Sequence, residues 1–165
     1  MSNVRRHPTL MNRSEFHLEP RGPYLFDTWR WTGRSSVVAL PSLRVELQVP
    51  IGEQPSYEMV ALAERLLEYA RKNGEYLLDL IYAHYRHAER EGWLSFWKMP
   101  SGVSRFAILG HVHSTTLVVD AKLVASVFVD PQWEQEHKLD LLFEGEITKV
   151  DGQPFRLTEG VLSFA

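Results

Sequence analysis

The sequence predicts an α+β fold: a mostly antiparallel sheet with a two-helix hairpin packed on one face. Three observations carry this. Leu43, Val45, Leu47 and Val49 alternate strictly with polar residues, the period of a half-buried strand. Between residues 56 and 92 the apolar residues instead recur at spacings of three and four, the period of a helix with one buried face. Beyond residue 105 the chain returns to short runs rich in β-branched residues. Strands, then helices, then strands give the order β-β-β-α-α-β-β-β-β, which packs as helices against an antiparallel sheet.

Taken in order, residues 1–22 show no period and read as a loose N-terminal arm, leaving 23–165 as a single α+β domain. Tyr24 to Trp31 is the first expected strand, Ser35 to Leu40 the second and Leu43 to Val49 the third, with Thr32-Gly33-Arg34 and Pro41-Ser42 as turns. Pro55-Ser56 opens the first helix, with Ser56 as its N-cap, and Asn73-Gly74 breaks the run. A second helix carries Leu77, Leu80, Ile81, His84, Tyr85 and Ala88, and ends at Gly92. Trp93, Phe96 and Trp97 follow as a cluster expected to seal the edge between helix and sheet. Later strands are expected at Phe106 to Leu109, Thr115 to Val119, Leu123 to Val129, Leu139 to Phe143, Gly145 to Val150 and Val161 to Phe164.

Composition bounds the function. A chain of 165 residues, 44% hydrophobic and 24% charged, can hide roughly 70% of its unfolded surface in one domain. The absence of cysteine removes disulfides, a thiolate nucleophile and cysteine-ligated metals. No apolar run approaches the roughly 20 residues of a membrane span, and none has the form of a signal peptide. A cytoplasmic protein with no membrane partner is therefore expected. The net charge of −3 disfavours nucleic acid, which needs a concentrated basic footprint. Charge is nonetheless uneven. Seven Arg and no Lys stand against four acidic residues up to Pro50, whereas Asp130 to Asp151 holds seven acidic residues and two Lys. That acidic hairpin could steer a basic protein partner, or it could simply be a solvated hairpin.

Candidate chemistry is sparse. His84 and His87 share a helix face and could offer two metal ligands, with Glu68 or Glu91 as a third, but His84 falls on the apolar stripe and is more simply a buried, hydrogen-bonded histidine. His111 and His113 would point the same way if their segment were extended, and with His137 and Glu136 they could hold zinc for hydrolytic chemistry. That requires three segments to converge. Glu136 and His137 are adjacent, so on a strand they would face opposite ways and make a poor base and orienting acid. A structural duty fits them better, with Trp133 covering the core and Glu136 or His137 tying the loop to the backbone. Phosphate loops, His-Glu-x-x-His and Gly-x-Ser-x-Gly are all missing. No catalytic residue and no cofactor are expected, with zinc on His111, His113 and His137 as the alternative.

Trp133-Glu-Gln-Glu136-His137-Lys138-Leu139-Asp-Leu-Leu-Phe143, followed by Gly145-Glu-Ile-Thr-Lys-Val150, resembles a bacterial family of small uncharacterised α+β domains. In these a Trp-x-x-Glu-His-Gly-Leu signature precedes the final strands. Trp31 and Gly33 before a strand pair and Pro55 before the helices extend the similarity over roughly residues 24–152. The chain departs from the pattern at Lys138, where the family has glycine. If that glycine supplies a positive φ, the turn here is built differently or strained. The resemblance implies a stand-alone cytoplasmic protein, some relatives resembling immunity proteins of bacterial toxin or secretion-system effector pairs, and it assigns no catalytic duty to any matched position. An immunity protein acts by occlusion, through aromatic or Arg anchors and complementary charge. Glu134, Glu136, Asp140, Glu144, Glu146, Trp93 and Trp97 are the expected partner-binding residues, with a basic toxin as partner. A metal-dependent hydrolase and a structural or homodimerising domain are the alternatives.

Overall fold

The computed structural model describes residues 11–20, 22–34, 36–136, 138–143, 155–159 and 162–164. Its eight strands lie in one sheet in sequence order: β1 (Phe16–Leu18), β2 (Phe26–Trp31), β3 (Leu43–Pro50), β4 (Val112–Asp120), β5 (Ala125–Pro131), β6 (Leu139–Phe143), β7 (Phe155–Glu159) and β8 (Leu162–Phe164). Every neighbouring pair is antiparallel except β3 and β4, which run parallel with Leu43 opposite Thr115 and Leu47 opposite Val119. Parallel neighbours need a long crossover, and the helix pair α1 (Tyr57–Lys72) and α2 (Gly74–Glu91) supplies it. The α+β layout with a two-helix hairpin is thus the fold of the chain.

The alternation along β3 decides which face is covered. Val45, Leu47 and Val49 are buried, as are Leu117 and Val119 on β4 and Val127 and Val129 on β5. Helix α1 lies against β3 and β4 on this face, and brings Met59, Leu62, Ala63, Leu66, Leu67 and Ala70 into the core. The Ser56 hydroxyl accepts from the Met59 N–H at 3.2 Å, satisfying one of the orphan donors of the first turn. At the other end Asn73 closes α1 twice, its backbone N–H and its side-chain amide both donating to the Tyr69 carbonyl. The chain then turns straight into α2, which ends at Gly92 in the left-handed conformation (φ 75°) that glycine adopts without penalty. Among the described residues no helix is long and apolar enough to cross a membrane.

Several elements differ from expectation. Residues 11–20, placed in a loose arm, are instead packed into the fold, while 1–10 lie outside the described residues. Met11 and Phe16 are buried, and β1 pairs with β2 through Phe16 opposite Trp31. Glu15 locks this edge: its backbone carbonyl accepts from the Thr32 N–H and hydroxyl, and its carboxylate from the Trp31 indole. Three residues are too few to show a period, which is why β1 is silent in the sequence. Residues 36–40 of the expected second strand form a turn instead. Val37, Ala39 and Leu40 are buried in the core while Val38 between them is turned out to solvent, and behind them the Thr115 hydroxyl donates to the Pro41 carbonyl at 3.0 Å. The apolar run at 106–109 lies in a 3-10 turn (Ala107–His111) that buries Ile108, not in a strand. Strand β7 was not expected. The strand expected at 145–150 lies outside the described residues.

Candidate functional site

The turn between β5 and β6 and the turn after α2 meet. Pro131 ends β5, and the next residue, Gln132, makes three hydrogen bonds to other segments of the chain. Its backbone N–H donates to the His111 carbonyl at 2.8 Å, and its side-chain carbonyl accepts from His111 Nδ1 at 2.8 Å. Its side-chain amide donates to the Lys98 carbonyl at 3.2 Å. One residue therefore joins the acidic turn to the aromatic turn at 93–99, and neither its type nor its spacing marked it in the sequence.

Trp133 is fully buried beneath this junction. Its indole N–H donates to His84 Nδ1 on α2 at 3.0 Å, and its ring meets Tyr85 edge-to-face at 5.5 Å. His84 is 1% exposed. Burial lowers its pKa from 6.5 to about 4, opposed by the nearby Glu134 carboxylate and reinforced by His87. The ring is thus neutral near pH 7, with its proton on Nε2 and its Nδ1 lone pair facing Trp133. That lone pair is engaged, so Nδ1 is not free to ligate a metal. The side chain of Glu134 is also turned inward (6% exposed), and its carboxylate accepts the Glu136 backbone N–H at 3.1 Å. Glu134 is therefore a turn-tying group and not part of an exposed acidic surface. It, not Glu136, fastens the loop, while Glu136 is exposed.

The aromatic turn is held as firmly. Tyr85, fully buried, donates its hydroxyl to the Pro100 carbonyl at 2.9 Å and accepts from the Val103 N–H at 3.0 Å. Glu89 accepts from the Gly102 N–H at 2.7 Å, which holds its carboxyl below the usual range. Within the turn the Met99 N–H donates to the Leu94 carbonyl and the Phe96 N–H to that of Trp93. Trp93, half-buried, sits edge-on to His87 at 5.2 Å. Phe96 is 75% exposed and stands perpendicular to half-buried Trp97 with ring centres 4.7 Å apart. Of the three expected aromatics, Phe96 is the one presented outward.

The remaining acidic candidates divide. Asp140 is half-buried on β6, where desolvation raises its pKa and a Ser126 hydrogen bond opposes the rise. Asp130 pairs with Lys138 at 3.4 Å. Glu144, Glu146 and His137 lie outside the described residues. His111 and His113 do not form the extended pair that a shared metal would need. His111 closes the 3-10 turn with its ring on Gln132, and His113 is exposed at a register shift in β4. Among the described residues no group of three His, Asp or Glu side chains could hold a metal ion. Lys138 takes φ 59°, the left-handed region that favours glycine. Comparison with family models, curated proteins and solved structures finds no match to this chain.

Proposed function

We propose that the chain is a non-enzymatic protein-binding domain, in its sharpest form an immunity protein that neutralises a cognate bacterial toxin by covering it. The observation that carries this reading is the Gln132 bridge, which sets the turn bearing Phe96 and Trp97 beside the turn bearing Glu136. A large aromatic presented on a backbone fixed by its own hydrogen bonds loses little entropy when it docks, the property of an interface anchor. An adjacent exposed carboxylate suits a basic partner and speeds encounter. The buried groups of the junction, His84, Trp133 and Glu134, serve as scaffold for this surface.

The test is capture of a partner from lysate of the producing organism, with zinc content measured on the same sample. A stoichiometric basic protein, retained by the wild type and lost on Phe96→Ser and on Glu136→Lys, supports the reading. Both positions are exposed, so neither change unfolds the chain. No partner, together with about one zinc per chain that disappears on His111→Ala and His137→Ala, would overturn it in favour of a hydrolase.

A further inference from the structure

The opposite face of the sheet, away from the helices, carries a second site of the opposite sign. Arg30 on β2 points outward, with His17 of β1 and Glu46 of β3 as its cross-strand partners. Arg44 lies two residues before Glu46 on the same face of β3. Arg34 arrives from the loop after β2. These three arginines line one cleft of about 450 Å³ with His17, Glu19 and Leu43. Glu19 pairs with Arg30 at 3.6 Å. Among the described residues no ion pair is made by Arg34 or Arg44, although the Glu46 carboxylate lies within the field of Arg44 and Arg30, so three guanidinium groups face two carboxylates and the cleft keeps a net positive charge.

The cleft is also built, not accidental. Gly33 sits between Thr32, which is fastened to the Glu15 carbonyl by two hydrogen bonds, and Arg34. A Cβ at Gly33 would come within 2.1 Å of the Trp31 ring, so the loop follows its course only because that ring can lie against bare backbone. Trp31 is itself held by Glu15 at 3.2 Å. The loop carrying Arg34 is thereby anchored beside Arg30 and Arg44.

We infer that this cleft binds a small organic phosphate, held through its phosphoryl oxygens by Arg30, Arg34 and Arg44. Planar guanidinium forks match phosphoryl oxygens two at a time, which a scatter of lysines would not do, and beside His17 the basic residues here are all arginines. The volume falls in the range of small-molecule sites. A nucleic acid would require a longer basic track than one cleft on a chain of net charge −3. The inference stands apart from the toxin-binding reading, because it uses other residues and a ligand of opposite charge.

The test uses the ¹⁵N-labelled full chain and inorganic pyrophosphate as probe, at constant ionic strength. Expected are saturable shifts at the amides of Arg30, Thr32, Arg34 and Arg44, with a dissociation constant below about 1 mM. Arg34→Gln and Arg44→Gln should each weaken binding by roughly tenfold or more, whereas Arg90→Gln at the exposed end of α2 should leave it unchanged. Non-saturating shifts, or equal weakening by Arg90→Gln, would overturn the site as general charge attraction. Tighter binding of a single-stranded RNA oligomer by the same residues would overturn the small-ligand assignment.

Discussion

His84 makes the stability of this fold depend on pH in a way that can be isolated. In the unfolded chain its pKa is the ordinary 6.5, and in the folded chain it is about 4. Between those values the unfolded state binds a proton that the folded state refuses, so acid favours unfolding. Stability is complete above about pH 6.5, falls as the pH drops toward 4, and then falls no further on account of this group. Each tenfold difference in proton affinity is about 1.4 kcal/mol, so the whole effect is about 3 kcal/mol, of which about 2 are lost by about pH 5. Other groups titrate in the same window, so the comparison is with His84→Asn. Asparagine keeps an acceptor near the position of Nδ1 for Trp133 but does not titrate. Urea unfolding at about pH 7 and about pH 5 should show the wild type losing about 2 kcal/mol more than the variant. Parallel losses would refute the reasoning, as would an NMR titration of His84 with a midpoint near 6.5 in the folded protein.

Tyr85→Phe should cost about 2 kcal/mol in urea unfolding, because it strips the Val103 N–H of its acceptor and the Pro100 carbonyl of its donor at a buried site. Gly33→Ala should cost about 2 kcal/mol, since the new methyl overlaps a Trp31 ring that Glu15 holds in place, and an unchanged unfolding midpoint would show that the ring can move aside. At position 138 glycine should exceed alanine in stability by about 1 kcal/mol. Both substitutions remove the exposed ion pair to Asp130, so their difference reports the left-handed backbone alone, and alanine proving the more stable would show that the turn has relaxed out of it.

Legibility in the sequence followed how much of an element's physics is local. The helices were readable to within a residue or two, because Ser56, Asn73 and Gly92 end them by local hydrogen bonding and dihedral preference. Strand β3 was readable because one of its faces is buried and the other is not. Residues 36–40 misled because the apolar stretch Val37 to Leu40 is compatible with a strand or with a turn that buries part of it, and the choice rests on packing into a core built from segments distant in sequence. The site was harder still. Tryptophan at 133 announced burial, and His84 announced itself by sitting on an apolar stripe, but their pairing spans 49 residues and leaves no local trace. Glu134 and Glu136 are chemically identical and two apart, and only the turn geometry sends one inward and the other out.

That last distinction changes what a mutation can mean here. Trp133, His84 and Glu134 are the unusual residues of the chain, and a scan guided by the sequence would begin with them. Their side chains have almost no solvent contact, and they join α2 to the β5–β6 turn. Loss of partner binding on replacing any of them would therefore follow from loosening the junction, whether or not a partner touches it. Phe96 is the reverse case. It is exposed, its ring contributes little to the core, and its backbone position is fixed by neighbours that a side-chain change leaves intact. A binding defect from Phe96→Ser with an unchanged unfolding curve therefore locates an interface, and the same defect from a Trp133 variant does not. The informative positions for function are the ordinary-looking ones that the unusual residues hold in place.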